Sequence, residues 1–279
     1  MVKQPTVIST FAGCGGSSLG YKLAGFHELL AVEWDDNAVA TFKLNFPGVP
    51  VYHGDIAKLT GAECMRLAGG IKPGDLDVFD GSPPCQGFST AGKRKFDDPR
   101  NSLFKEFARL ITELQPKVFV MENVTGMVKG CMKQAYLQII KTLRECGYRC
   151  KGEVLNAMYY NVPQSRERVI IIGVRNDIGI EPTHPKPQMK PMTVREAFAH
   201  VDINDDQYRG ASERVLAYAK YHPGGWNTDM RTMVRISGKT HSVASLKWAH
   251  LDKPLGTIAK QEIVDSGVMA PCRTRYRTN

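Results

Sequence analysis

The chain has 279 residues, 42% of them hydrophobic and 23% charged, and a net charge of +9. That length supports one large domain or two smaller ones, and the composition excludes a disordered chain. No apolar run approaches the ~20 residues of a bilayer span, and Val7–Ala12 is too short for a signal peptide, so the expected location is the cytoplasm with no membrane association.

Thr6–Phe11 reads as a buried strand, running through a glycine-rich turn into a helix over 17–23. Leu29–Glu33 is a second strand, followed by a helix over 37–45. Asp55, after Tyr52-His53-Gly54, closes a third strand. Asp77–Asp80 and Lys117–Glu122 are further strands, with a helix over 103–114 between them. A helix over 133–145 then precedes strands at 151–155 and 168–174. This alternation predicts an α/β fold with a doubly wound, mostly parallel sheet. Pro182–Pro191 holds four prolines and reads as a linker. The expected division is therefore a domain at 1–178 and a second, smaller region at 179–279. Net charge is +4 over the first and +5 over the shorter second, and +6 from Arg231 onward, which suggests a polyanionic partner.

The seven cysteines form no Cys-x-x-Cys pair, so zinc-site spacing is absent. Their odd count and irregular spacing argue against a disulfide scaffold in a cytoplasmic chain.

Six stretches carry candidate chemistry. Phe11-Ala12-Gly13-Cys14-Gly15-Gly16-Ser17-Ser18 joins the first strand to the first helix, where glycine lets the backbone approach a ligand and the helix N-terminus attracts negative charge. It is not a clean dinucleotide fingerprint, and taken alone it is equally a tight turn. Glu33 ends the second strand, where a carboxylate accepts from ribose hydroxyls. Trp34 could stack on adenine, and Asp55 could bind its amino group or simply be a surface aspartate. Asp80–Ser89 sets Cys85 after two prolines at a strand's carboxyl end, a place for a thiolate nucleophile or for a structural cysteine in a rigid loop. Glu122-Asn123-Val124 ends the next strand with a carboxylate that burial could suit to acid chemistry, or that is simply a solvated or capping residue. Gln164-Ser165-Arg166-Glu167-Arg168 sets two guanidiniums around a glutamate, as an ion-paired strand edge or as a ligand contact.

In order and content these stretches resemble the cytosine-5 DNA methyltransferase family, almost continuously over residues 6 to about 176. The resemblance implies the Rossmann-like fold of S-adenosylmethionine-dependent methyltransferases with a target-recognition region, here 179–279. It also implies methyl transfer from S-adenosylmethionine to C5 of a cytosine flipped out of double-stranded DNA, without a metal. Cys85 would add to C6, Glu122 protonate N3, Arg168 bind O2 and Arg166 support the loop. Phe11, Ala12, Gly13, Gly15, Gly16, Glu33, Trp34, Asp55, Ile56, Pro84 and Leu103 would hold the cofactor. Lys93-Arg94-Lys95 and Arg100 lie in a stretch that the resemblance makes a lid over DNA, and that is otherwise a solvated basic loop. A restriction–modification or orphan enzyme is the leading reading. A tRNA methyltransferase of the same family and a non-catalytic or split DNA-binding subunit are the alternatives.

Lys253-Pro254-Leu255-Gly256-Thr257-Ile258 looks like the segment that closes the recognition region. The family's following Arg-x-Leu-Thr-x-x-Glu helix and Gly-Asn-x-Val-Pro-Pro segment do not appear, and Thr193-Val194-Arg195-Glu196 is only a partial look-alike. The expectation is a monomer that needs a complementing C-terminal segment or subunit for full activity.

Overall fold

The computed structural model describes residues 3–84, 102–128, 133–199 and 254–256. In chain order its elements begin with β1 (Thr6–Thr10), α1 (Gly16–Leu23), β2 (His27–Glu33), α2 (Asp36–Asn45), β3 (Val51–His53), α3 (Gly61–Leu67), β4 (Val78–Gly81), α4 (Ser102–Leu114) and β5 (Val118–Val124). They continue with α5 (Lys133–Glu145), β6 (Tyr148–Asn156), β7 (Gln164–Ser165), β8 (Glu167–Arg175), α6 (Val194–Phe198) and β9 (Leu255–Gly256).

Seven strands form one sheet in the order β3-β2-β1-β4-β5-β8-β6. The β1–β2, β1–β4, β2–β3 and β4–β5 pairs are parallel, and β8 runs antiparallel to β5. The mostly parallel sheet expected from the sequence is therefore present. Side chains alternate across each strand. One face carries Ile8, Leu30, Phe79, Phe119 and Met121 into the main core, which α3, α4 and α5 cover with Cys64, Phe107 and Leu143. Its centre is aromatic: Phe79 stacks on Phe107 at 5.1 Å, and Phe119 meets Tyr148 edge-on at 5.2 Å. Ala31, on the opposite face, packs with Phe42 and Phe46 at α2.

Two short helices escape the hydrophobic pattern and are set by caps. Thr60 accepts from the Glu63 amide at the start of α3. Thr193 and Glu196 form a reciprocal capping box at α6, so the partial look-alike is a helix start. The 182–191 stretch has no regular structure, yet it does not hang free. The His184 side chain is buried, its Nε2 2.9 Å from the Ile170 carbonyl oxygen. Residues to Leu155 with Arg168–Pro185 form one compact unit. Asn156–Glu167 and the described residues from Lys186 onward form a second, which contains the parallel β7–β9 pair, Gln164 with Leu255 and Ser165 with Gly256. Among the described residues no helix is long and apolar enough to cross a membrane.

Candidate functional site

After β1 the chain winds outward to β2 and β3, then returns to β4 on the other side of β1. The strand order thus reverses between β1 and β4. In an open α/β sheet, ligands bind in the crevice outside the carboxyl ends of the strands at such a point. The glycine turn after β1 and the Pro83-Pro84 loop after β4 flank it.

The turn is left-handed at Phe11 (φ 55°), Gly13 (φ 56°) and Gly15 (φ 93°). A methyl group on Gly15 would run into the Phe46 ring, so this glycine serves packing. Gly13 and Gly16 face open space, with nothing within 4 Å of where a Cβ would stand. Ala12 is buried against Phe42 and Phe46, and Phe11 packs on the main core.

Glu33 is buried at the end of β2, and its carboxylate holds this corner together. Oε2 accepts from the Gly13 amide (2.7 Å), and Oε1 from the amides of Trp34 (2.8 Å) and Asp35 (3.0 Å). A carboxylate offers about four acceptor positions, so roughly one remains for a ribose hydroxyl. Trp34 is 77% exposed, leaving the indole face open. Strand β3 stops at His53 rather than at Asp55. Asp55 instead caps the 3-10 turn Ile56–Lys58 by accepting from the Ala57 amide (2.9 Å). Ile56 is buried in the core, and its carbonyl accepts from Arg109. Leu103 is half-buried on α4 against the same core. Open space over Gly13 and Gly16, an exposed indole, the Glu33 carboxylate at the end of β2 and the Asp55 carboxylate just beyond β3 fit an adenosine-bearing cofactor.

Across the reversal point, β5 runs past the end of β4, so that Glu122 and Asn123 pair only with β8. Arg168 on β8 sits two positions diagonally from Glu122 on the same face, its Nε 2.7 Å from Glu122 Oε1. Asn123 is buried and donates from Nδ2 to the Pro83 carbonyl (3.0 Å), tying this strand end to the loop that leads through half-buried Pro84 to position 85. Arg166 belongs to the second unit, where its amide donates to Asn156 Oδ1 (3.1 Å) and its carbonyl accepts from Ala157. Cys85, the 93–95 basic run, Arg100 and the basic stretch beginning at Arg231 lie outside the described residues. Burial pushes the thiols of Cys64 and Cys150 up to about 12, which makes both poor thiolate nucleophiles.

Two residues gain roles that spacing did not reveal. Asn123 stood in the Glu-Asn-Val stretch without a function, and the signal was a polar residue inside an apolar strand. Asp80 likewise interrupts Val78-Phe79. Its buried carboxyl takes a hydrogen bond from the Tyr21 hydroxyl (3.2 Å), and burial pushes it up to about 6 against the opposing hydroxyls of Ser17 and Tyr21.

Comparison with known proteins identifies the family. The model of the C-5 cytosine-specific DNA methylase family matches residues 5–274. The type II methyltransferase M1.HphI of Haemophilus parahaemolyticus is 44% identical over 89% of this chain and 69% of its own length. M.XorII of Xanthomonas oryzae is 40% identical over 78% of this chain, which spans 51% of that relative's length. Among solved structures, a prophage-encoded E. coli chain described as a DNA modification methyltransferase superposes with a TM-score of 0.67 at 26% identity, covering 91% of this chain and 82% of its own.

Proposed function

This chain belongs to the C-5 cytosine-specific DNA methylase family, and on that premise we propose that it methylates C5 of cytosine in double-stranded DNA as a type II modification or orphan enzyme. The observation that carries the reading is the Glu122–Arg168 pair at the open end of β5 and β8, with Asn123 anchoring the loop toward Cys85.

When bound, S-adenosylmethionine supplies an electrophilic methyl group. Gly13 and Gly16 would leave room for it, Glu33 would accept from the ribose, and Trp34 and Asp55 would face the adenine. Cytosine C5 is a weak nucleophile, and the Cys85 thiolate would overcome this by forming a bond to C6 of a flipped-out base. Glu122 would donate a proton to N3 as negative charge spreads onto the ring. Arg168, which anchors Glu122, would also present N–H groups to O2, and Arg166 would steady the adjoining loop. After the methyl group joins C5, the C5 proton leaves and the electron pair of its bond expels Cys85. The region 179–279, with its net +5, would supply recognition of the duplex.

Labelled methyl transfer to duplex DNA, with tRNA as the contrasting substrate, tests the reading. Cys85→Ser should abolish transfer while cofactor binding survives, and DNA carrying 5-fluorocytosine should trap the wild type covalently. Turnover by Cys85→Ser, or transfer confined to tRNA, would overturn it.

A further inference from the structure

Under α1 the sheet face is polar where a core is expected. Ser9 is buried on β1, Asp80 lies beside it on β4, and Glu28 is buried on β2. Ser17 and Tyr21 lie four residues apart on one side of α1; the Tyr21 hydroxyl donates to Asp80 Oδ1 (3.2 Å), and the Ser17 hydroxyl also favours the charged form of that carboxylate. Ser18 Oγ donates to Glu28 Oε1 (2.8 Å). The layer is close to the cofactor turn: Thr10, the last residue before it, donates from Oγ1 to the Asp80 carbonyl (2.9 Å), and Ser17 is the second residue of α1, directly after Gly16.

The charges here do not balance. Glu122 on β5 acts on Asp80, but its own partner is Arg168 on β8. Among the described residues no Lys or Arg pairs with Asp80 or Glu28; hydroxyls serve them instead. Burial pushes both carboxyls upward, and Asp80 is raised further by the charges of Glu28 and Glu122. A buried carboxylate without a cation is costly, and an arriving positive charge relieves that cost.

The methyl donor differs from its product in charge. The sulfonium and ammonium groups of S-adenosylmethionine, set against one carboxylate, leave a net +1. Methyl transfer turns the sulfonium into a thioether and leaves a net charge of zero. Resting on the cofactor reading above, we propose that Asp80 is a specificity-determining residue whose carboxylate, buried beside the cofactor turn, makes the site prefer the cationic donor over the neutral product.

The test is a calorimetric titration of the full chain with S-adenosylmethionine and with S-adenosylhomocysteine from pH 5 to pH 8. In the wild type the donor/product affinity ratio should rise with pH as Asp80 ionises. Asp80→Asn keeps the shape and an acceptor for the two hydroxyls but removes the charge. Its ratio should be pH-independent and about tenfold lower at pH 8, the order expected for one charge acting across roughly 12 Å of a medium of effective dielectric near 20. Tyr21→Phe removes a hydrogen bond that favours the charged carboxylate, so the step should move to higher pH. The wild-type profile and Tyr21→Phe decide the matter even where Asp80→Asn fails to fold. A flat wild-type ratio, or an Asp80→Asn ratio that still rises with pH, would overturn the proposal. Absence of binding by both ligands would instead sink the cofactor reading on which it stands.

Discussion

At Asp80 the folded chain holds a proton that the unfolded chain releases, because burial lifts the carboxyl from 3.8 to about 6. Its contribution is fully present below the unfolded value and is lost as pH rises through the folded one. Asp80→Asn should therefore stabilise the empty protein at pH 8, by up to about 3 kcal/mol for a shift near two units, and by almost nothing below pH ~4. Urea unfolding at several pH values reads this directly, and a pH-independent gain would contradict it. At Glu33 a substitution should destabilise instead, by stranding hydrogen-bond donors. Glu33→Ala leaves the amides of Gly13, Trp34 and Asp35 without their acceptor. An unpaired buried donor costs roughly 1–3 kcal/mol. The variant should lose stability as well as ~10- to 100-fold in cofactor affinity, and calorimetry with unchanged affinity would remove Glu33 from the site. The sequence showed where Glu33 stands but not that most of its acceptor capacity is used by the chain itself. Spacing locates a residue at a strand end; it does not say which amides fold back onto it.

The same limit holds for the elements. Strands β1, β2, β4, β5 and β8 are apolar runs bounded by turn residues; burial on both faces demands this of β1, β2 and β4, while β5 and β8 alternate buried and less buried positions. Helices α3 and α6 are too short for a period to develop, and only Thr60-x-x-Glu63 and Thr193-x-x-Glu196 betray them. The 182–191 stretch read as a linker because of its prolines, while His184, which holds it to β8, is one residue with no pattern around it. Within the cofactor turn, structure separates glycines that sequence treats alike. Gly15→Ala should unfold or badly destabilise the turn, since φ 93° and the Phe46 ring both oppose a methyl group. Gly16→Ala meets nothing within 4 Å and begins a helix, so it should preserve or slightly raise thermal stability. Its cofactor affinity should nonetheless fall if that open space is the ligand's. Melting temperature and cofactor titration on the two variants separate packing from binding, and a Gly16→Ala chain that binds as well as wild type would place the ligand elsewhere.

For the whole molecule, charge says more than shape about the partner. The net +9 is spread unevenly, with +6 falling from Arg231 onward. Such a field acts only within a Debye length, about 8–10 Å at physiological salt, so its effect on a polyanion must weaken as salt is added. Each phosphate neutralised on a duplex releases condensed counterions and adds about 0.9 to the slope of log affinity against log salt. Replacing Arg231, Arg235 and Lys239 together with glutamine should therefore lower that slope by up to about 2.7, nearly alike for matched and mismatched duplexes, because backbone contacts carry no sequence information. Cofactor affinity should stay the same, since none of the candidate cofactor residues, Phe11 to Leu103, falls in that stretch. Fluorescence anisotropy with one duplex at 50–300 mM salt measures the slope. If the triple variant keeps the wild-type slope but binds matched DNA more weakly, these side chains read bases rather than phosphates. If neither slope nor affinity moves, the +6 excess faces solvent and the duplex is held by basic residues elsewhere in the chain.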